Sequence, residues 1–255
     1  MMLARSIAEL DLPPGGVVGL VPTMGALHEG HAALFRAARA ECDVLVASVF
    51  VNPAQFTDGR DFSAYPRDLD ADASKARADG VDVLFAPSVD EMYPPAFATW
   101  VDPGGAAEAL EGVHRPGHFR GVATVCVKLF NIVKPQRAWF GRKDAQQVAV
   151  LKQVVRDLNL DVEIRVVDTV RDDDGLALSS RNAALSASER VQALAIPRAL
   201  ATRDPDAARR VLAEAGIEPE YVSVADLGGP TLAIAATVGT TRLIDNIPLG
   251  EGVTT

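Results

Sequence analysis

A chain of 255 residues is long enough for one large α/β domain or two smaller domains with complete hydrophobic cores. Apolar residues make up 48% of it and charged residues 23%, and no stretch approaches the roughly 18 consecutive apolar residues of a membrane span. The formal net charge of −9 argues against a protein that covers nucleic acid phosphates, so we expect small-molecule partners and neither nucleic acid nor membrane as a partner.

Strands and helices alternate through the first two thirds of the chain. Helical patterning predicts helices over 32–40, 69–78, 121–133 and 144–158, with a reduced first helix over 6–10. Short apolar runs predict strands over 17–21, 44–51, 81–85, 138–140 and 162–167. This alternation predicts an α/β fold with a Rossmann-like parallel sheet, helices on both faces and ligands at the carboxyl ends of the strands.

The segment 171–182 interrupts this alternation with charges, a glycine and two serines, and we place a domain boundary just before it. Beyond it, the patterns predict short helices over 188–200 and 205–215, then antiparallel strands over 221–225, 232–238 and 242–246. The predicted organisation is a first domain over 1–169 and a small α+β carboxyl-terminal domain over 170–255.

The beginning of the sequence and its cysteines predict a cytoplasmic protein. Glu9 lies where a signal peptide would continue its apolar segment, and no cleavage pattern follows. Cys42 and Cys126 are too far apart for a disulfide framework or a zinc ribbon. We interpret both as buried apolar residues in a reducing compartment.

The segment 22–31 places two histidines where the first predicted strand gives way to a helix. Gly25 and Gly30 would let backbone N–H groups approach a ligand, and the helix start adds unpaired donors and a partial positive charge. His28 and His31, one helical turn apart, would face the same anion. The alternative interpretation is a helix-capping turn with two solvent-exposed histidines.

The other two histidines, His114 and His118, lie in a second short segment, and this concentration raises the alternative of a zinc site. Three further segments carry groups suited to carboxylate or phosphate. Their polar residues are Asn52 and Gln55 after the second strand, Lys143 and Gln147 where a strand meets a helix, and Ser179, Ser180 and Arg181 after Gly175.

Together these segments resemble the pantothenate synthetase (pantoate–β-alanine ligase) family of the nucleotidylyltransferase superfamily. The resemblance runs in order from Gly19 to about Asn182. Its motifs are PTMGALHEGH at 22–31 as a form of the HIGH motif, FVNPAQF at 50–56, YPRD at 65–68, RPGHFRGV at 115–122, FGRKD at 140–144 and GLALSSRN at 175–182 as a form of the KMSKS loop.

The resemblance implies that pantoate is activated by ATP to pantoyl adenylate with loss of pyrophosphate, and that β-alanine then displaces AMP. It also implies Mg²⁺, a homodimer built through the first domain, and a second domain that closes as a lid. Such a lid would protect the acyl adenylate from water.

The roles of the family's site residues carry over to matching positions. The implied catalytic residues are His28, His31, Lys143, Ser179, Ser180 and Arg181. These six would also bind ATP, together with Met24, Gly141, Asp144 and Val170. Pantoate would be bound by Gln55, Gln147, Asn52, Tyr65 and Arg115. Asp72 would help to place the metal ion.

The chain departs from the usual family pattern at Arg142, where an acidic residue is common, and at Ala71, where a polar or acidic one is common. Its first helix and its carboxyl-terminal domain, near 203–206, are shortened. Another HIGH-containing nucleotidylyltransferase, an aminoacyl-tRNA synthetase fragment and a non-catalytic nucleotide-binding protein stay open as alternatives. His31, His118 and bulk water are the candidate acceptors for the proton of β-alanine's ammonium.

Overall fold

The computed structural model describes residues 1–13, 15–57 and 59–250. The chain divides into two compact units. The first contains 1–141 and 146–167, and the second contains 142–145 and the described residues from 168 onward. Each unit has its own hydrophobic core.

The first unit is built on a six-stranded sheet in which every pair of neighbouring strands is parallel. The strands are β1 (Met2–Ala4), β2 (Val18–Thr23), β3 (Val44–Val49), β4 (Val83–Phe85), β5 (Arg137–Gly141) and β6 (Glu163–Val167). Their order is β1-β4-β3-β2-β5-β6. The chain runs outward from β2 through β3 to β4 and then returns to β5 on the other side of β2. This reversal creates a crevice beyond the carboxyl ends of β2 and β5, where open α/β sheets bind ligands.

Helices cover both faces of this sheet. They are α1 (Glu29–Arg39), α2 (Gly59–Ala64), α3 (Leu69–Ala78), α4 (Val89–Met92), α5 (Glu111–His114), α6 (His118–Val133) and α7 (Ala145–Asp157). Alternate strand residues point to opposite faces, so Leu20 and Val46 pack in one core with α6 and α7. Val21 and Leu45 pack in the other core with α1 and α3.

The second unit combines three antiparallel strands with short helices. The strands are β7 (Pro219–Asp226), β8 (Pro230–Val238) and β9 (Thr241–Pro248), in the order β7-β8-β9. The helices are α8 (Ala187–Ala193), α9 (Ala195–Ala201) and α10 (Pro205–Glu214), preceded by a 3-10 turn over Ser180–Ala184. The core between sheet and helices is formed by residues such as Ile196, Leu212 and Ile234.

The predicted α/β class, the parallel sheet and the smaller antiparallel sheet are confirmed, and three local expectations are corrected. The helix expected over 6–10 is a single 3-10 turn, Ile7–Glu9, and it follows a strand, β1, that three residues were too few to reveal. The helix expected over 188–200 is interrupted at Leu194. The short helices α2, α4 and α5 lie in segments without a predicted element.

Among the described residues, no helix has both the length and the apolar character required to cross a membrane.

Candidate functional site

The candidate site of the first unit lies at the carboxyl ends of β2, β3 and β5. Met24 to His28 follow β2, and Asn52 to Gln55 follow β3. Gly141 ends β5, and an added Cβ there would meet no atom within 4 Å. The predicted side chains of these segments therefore lie at the reversal point of the sheet.

His28 and His31 form a capping box at the start of α1. The Nδ1 atom of His28 accepts the Gly30 N–H at 3.1 Å, and the Nδ1 atom of His31 accepts the His28 N–H at 3.2 Å. A backbone N–H only donates, so both Nδ1 atoms are unprotonated. In the neutral rings the proton is therefore on Nε2, by assignment from these hydrogen bonds.

The environment of His31 keeps its ring neutral. Burial, together with the nearby His28 and Lys75, lowers the pKa of His31 to about 3. At neutral pH this ring is a hydrogen-bond donor through Nε2 and carries no positive charge. With Nδ1 bonded to the His28 N–H and the pKa this low, the ring is a poor proton acceptor.

From the sequence, a helix-capping turn and a phosphate site were alternatives for this segment. In the structure the two are compatible, because each ring caps the helix through Nδ1 and carries its donor on Nε2.

The expectation that backbone N–H groups of this turn would face a ligand is corrected. Gly25 donates its N–H to Thr23 Oγ1 at 3.1 Å, and the N–H groups of Ala26 and Leu27 donate to Asp72 at 3.0 and 2.8 Å.

Gln55 is oriented by a chain of hydrogen-bonded side chains. The Tyr93 hydroxyl donates to Asn52 Oδ1 at 2.7 Å, and Asn52 Nδ2 donates to Gln55 Oε1 at 2.9 Å and to the Gly121 carbonyl at 3.2 Å. Gln55 Nε2 in turn donates to the Met24 sulfur at 3.3 Å. Because a thioether is a weak acceptor, this donor can be redirected to the oxygen of a ligand at little cost.

His118 and Arg115 hold the main chain of Gln55. His118 Nδ1 donates to the Gln55 carbonyl at 2.8 Å, and Arg115 Nη2 donates to the same oxygen at 3.4 Å. Arg115 Nη1 lies 3.2 Å from His118 Nε2, which accepts in this tautomer. Both ring nitrogens of His118 are thus used within the protein, and His118 is a positioning residue for Gln55.

Gln147 and Tyr65 are the other residues predicted to contact pantoate. Gln147 is half-buried on α7, whereas the preceding Gln146 is buried and hydrogen-bonded to the backbone of the segment 106–111. Tyr65 packs edge-on against Phe56, with ring centroids 5.9 Å apart. Of these two consecutive glutamines, Gln146 therefore has a structural role, and Gln147 is partly exposed at the surface of the helix.

Asp72 has a different environment from that expected of a metal ligand. Its side chain is buried, and both carboxylate oxygens accept backbone N–H groups. It lines a cavity of about 260 Å³ whose walls are largely apolar, with Met24, Phe50 and Leu69 among them. Mg²⁺ keeps several waters and prefers oxygen ligands, so these walls do not suit it.

In the second unit, the segment 142–145 is attached to β9. Asn246 Nδ2 donates to the carbonyls of Arg142 and Lys143 at 3.0 and 2.8 Å. Arg142 Nε donates to Asp168 Oδ1 at 2.7 Å, so its side chain is engaged in an ion pair. Lys143 Nζ lies 4.0 Å from Asp144 Oδ1.

The loop that precedes the predicted phosphate-binding serines is fixed by two arginines. Arg171 pairs with the buried Asp245 through both terminal nitrogens, at 2.6 and 3.1 Å. Arg190 donates to Asp172 at 2.6 Å and to Asp174 at 2.8 Å. These pairs hold the turn around 172–175 against the body of the second unit.

Ser179 caps the 3-10 turn that follows, because its Oγ accepts the Arg181 N–H at 3.3 Å. The Val170 carbonyl accepts the Leu178 N–H at 3.0 Å, so the two ends of the segment 170–178 are joined by a hydrogen bond. Ser179, Ser180 and Arg181 are therefore neighbours at the start of one short helical turn.

Three residues with a clear structural role at the site were not identified from the sequence. Tyr93 and Lys75 carried no local signal, because their contacts with Asn52 and Leu27 are distant in sequence. Asn246 did carry one: a buried Asp-Asn pair inside an apolar strand is unusual and indicates polar partners.

The fold and the side chains at its reversal point define an α/β protein with a small-molecule site at the carboxyl ends of its central strands. A sequence model of the family described as pantoate-beta-alanine ligase matches residues 3–248. The chain belongs to the pantoate–β-alanine ligase family.

Relatives and solved structures agree with this membership. The pantothenate synthetase of Acidobacterium capsulatum is 51% identical, and the match covers 92% of this chain and 86% of that protein. The crystal structure of the Thermus thermophilus pantothenate synthetase matches with a TM-score of 0.92 at 44% identity, covering 98% of this chain and 100% of the other. The ligase from Francisella tularensis, complexed with beta-gamma ATP and beta-alanine, matches with a TM-score of 0.89 at 36% identity, covering 99% of each chain.

Proposed function

We propose that this protein catalyses the ATP-dependent condensation of pantoate with β-alanine to give pantothenate, AMP and pyrophosphate. The observation that carries the proposal is membership of the pantoate–β-alanine ligase family over nearly the whole chain. In the first step a pantoate carboxylate oxygen bonds to the α-phosphorus of ATP and pyrophosphate leaves. In the second, the β-alanine amine bonds to the acyl carbon, AMP leaves and the amine loses a proton.

His28 and His31 are proposed to stabilise the charge that develops on the α-phosphate. The capping box supports this role, because it fixes both rings through Nδ1 and assigns the proton of each neutral ring to Nε2. Pre-oriented donors of this kind need no rearrangement as charge develops. The role is hydrogen-bond donation, since His31 is neutral at physiological pH.

Gln55 and Gln147 are proposed to bind pantoate. The orientation of Gln55 supports its role, because Oε1 accepts from Asn52 and Nε2 donates to the Met24 sulfur, a weak acceptor. Asn52 and Arg115 then act through Gln55, and Tyr65 supports the pocket wall. The proton of the β-alanine ammonium goes to bulk water in this scheme, because neither His31 nor His118 has a ring nitrogen left to accept it.

The remaining ATP contacts are proposed on the family resemblance. Lys143 and Arg181 would supply positive charge to the phosphates, and the hydroxyls of Ser179 and Ser180 would donate to phosphate oxygens. Backbone or side-chain contacts with ATP are further proposed for Met24, Gly141, Asp144 and Val170. We propose that the second unit, which contains most of these groups, acts as the lid.

Mg²⁺ is proposed to accompany ATP as a counterion of its phosphates, the usual arrangement for this ion. Among the side chains that the structure describes, no group of three His, Cys, Asp or Glu residues is arranged to hold a metal ion. Ala71 offers no ligand and both Asp72 oxygens are engaged by the backbone, so we assign neither residue to the metal.

A cytoplasmic homodimer completes the proposal. Cys42 and Cys126 are both buried and unpaired, in keeping with a reducing compartment. The dimer is carried over from the family resemblance, and sedimentation at several protein concentrations measures it.

The function is tested by exchange of labelled pyrophosphate into ATP, with pantoate and Mg²⁺ present and β-alanine omitted. We expect exchange that depends on pantoate. Exchange driven by amino acids instead, or no exchange with any of these acids, would contradict the proposal. Adding β-alanine should then release AMP and form pantothenate in equal amounts.

A further inference from the structure

We propose that Asp72 is a positioning residue for His28 and His31, which it holds through the turn at 25–27, and that it is not a metal ligand. The proposal rests on the proposed function, because the consequence it predicts is a loss of pantoate activation. Its structural part is independent of that function and can be tested alone.

Helix α3 holds the turn through two side chains. Asp72 accepts the Ala26 N–H on Oδ2 at 3.0 Å and the Leu27 N–H on Oδ1 at 2.8 Å. Lys75, one helical turn later, donates from Nζ to the Leu27 carbonyl at 2.6 Å. Both polar backbone groups of Leu27 are thus held by the same helix.

The turn needs external support because of its backbone conformation. Gly25 and Ala26 have φ values of 85° and 52°, in the left-handed region that alanine rarely adopts. An added Cβ at Gly25 would lie 2.7 Å from Asp72 Oδ2, so glycine is also required for this close approach. Two successive N–H groups in such a turn form an anion-binding concavity, and here the chain's own carboxylate occupies it.

The turn is coupled directly to the rings. His28 follows Leu27, its N–H is the donor to His31 Nδ1, and its own Nδ1 accepts from Gly30. A displacement of Leu27 therefore moves the residue that caps α1 and alters the hydrogen bond that fixes each imidazole. Loss of the Asp72 contacts should allow the other neutral tautomer of each ring to form.

The test compares Asp72→Asn with Asp70→Asn, a matched control on the exposed side of the same helix. An asparagine at 72 accepts one N–H but turns its own NH₂ toward the other. We expect Asp72→Asn to lower pantoate-dependent pyrophosphate exchange about a hundredfold, the usual consequence of misplacing catalytic groups. The Mg²⁺ concentration for half-maximal rate should stay unchanged, and Asp70→Asn should behave as wild type.

A second readout follows the ring tautomers by ¹⁵N NMR of the histidine side chains in the protein without ligands. We expect a single Nε2–H tautomer for His28 and His31 in the wild type and in Asp70→Asn, and a mixture in Asp72→Asn. This readout holds even if exchange with pantoate is never observed, so failure of the proposed function and failure of the positioning role are distinguishable.

A metal-ligand role predicts a different pattern. The Mg²⁺ requirement of Asp72→Asn would rise about tenfold, the rate would recover at high Mg²⁺, and the tautomers would not change. That result, or wild-type behaviour in both readouts, overturns the proposal. If Asp72→Asn does not fold, Lys75→Ala tests the same clamp, because it removes the Leu27 carbonyl contact and keeps the Asp72 carboxylate. It should shift the tautomers and lower the rate in the same direction by a smaller factor, and unchanged tautomers and rate in Lys75→Ala would overturn the proposal.

Discussion

The turn at 22–31 in the first unit and the segments 142–145 and 171–182 in the second hold their polar side chains by different means. In the turn, each histidine is fixed through one ring nitrogen to the backbone, and the rings are held at a centroid distance of 4.2 Å. In the second unit the anchors are ion pairs, such as Arg171 with Asp245, and an amide, Asn246, on the main chain. The rings in the first region are fixed by hydrogen bonds to the main chain, whereas the second region carries its anchors as charged pairs.

This difference has chemical consequences. An uncharged imidazole that is held through Nδ1 donates from Nε2 in the same direction at any ionic strength. The attraction between a lysine or arginine and phosphate is longer in range and is screened by salt.

The largest effect is expected at His28, where one substitution can remove the donor on Nε2 while the cap made by Nδ1 is replaced. His28→Ala removes the cap and the donor, and should cost about 1 kcal/mol of unfolding free energy together with a loss of about 100- to 1,000-fold in pyrophosphate exchange. His28→Asn restores a good capping acceptor, but its shorter side chain has no donor at the position of the imidazole Nε2. It should recover the stability in urea unfolding while activity stays as low as in His28→Ala.

If His28→Asn recovered both properties, the ring would act only as a cap. If His28→Ala lost activity with no change in stability, the capping hydrogen bonds would contribute nothing, and the account of how the rings are fixed would be wrong.

A second experiment tests the charged region through the neighbouring cations of the segment 142–145. Lys143→Ala should lower exchange about a hundredfold, because a charge on the phosphates is lost. Arg142→Ala should leave the rate unchanged, since its guanidinium pairs with the exposed Asp168 and such surface pairs contribute little. Rates at low and high salt measure the difference. Equal losses in both variants would show that Arg142 also reaches the phosphates.

Periodic patterns predicted most of the fold, because apolar strands and amphipathic helices have local sequence signals. The helix over 69–78 agrees with α3 at both ends, and the strands of both sheets differ by a few residues. The strand β1 was missed, because it is defined by its pairing with β4 and not by its own three residues. The grouping of 142–145 with the second unit likewise depends on Asn246, about a hundred positions away in sequence.

For the candidate site, the residues could be predicted from the sequence, but their hydrogen-bond partners could not. His28, His31, Gln55 and Lys143 stand out by motif, and a helix-capping turn was one of two interpretations of the segment 22–31, but the hydrogen bond that each ring makes was not predicted. The family resemblance placed Asp72 at the metal ion, whereas its oxygens are directed at a turn 45 residues earlier in the chain. Buried polar side chains take their partners from tertiary structure, and a single sequence does not list those partners.

The last prediction concerns the dependence of stability on pH, and it tests whether His31 is neutral in the folded protein. The folded-state pKa of His31 is about 3, below its usual value of 6.5, so the unfolded chain binds the proton more readily. The stabilisation from this group is fully present above pH 6.5 and is lost as the pH falls toward 3. His31→Gln keeps a side-chain oxygen that can accept the His28 N–H, as in the usual capping box, and does not titrate. Urea unfolding between these limits should therefore give a shallower loss of stability on acidification for His31→Gln than for the wild type. Identical pH slopes would mean that the His31 ring is as easily protonated in the folded protein as in the unfolded chain. The fold would then not keep the His31 ring neutral.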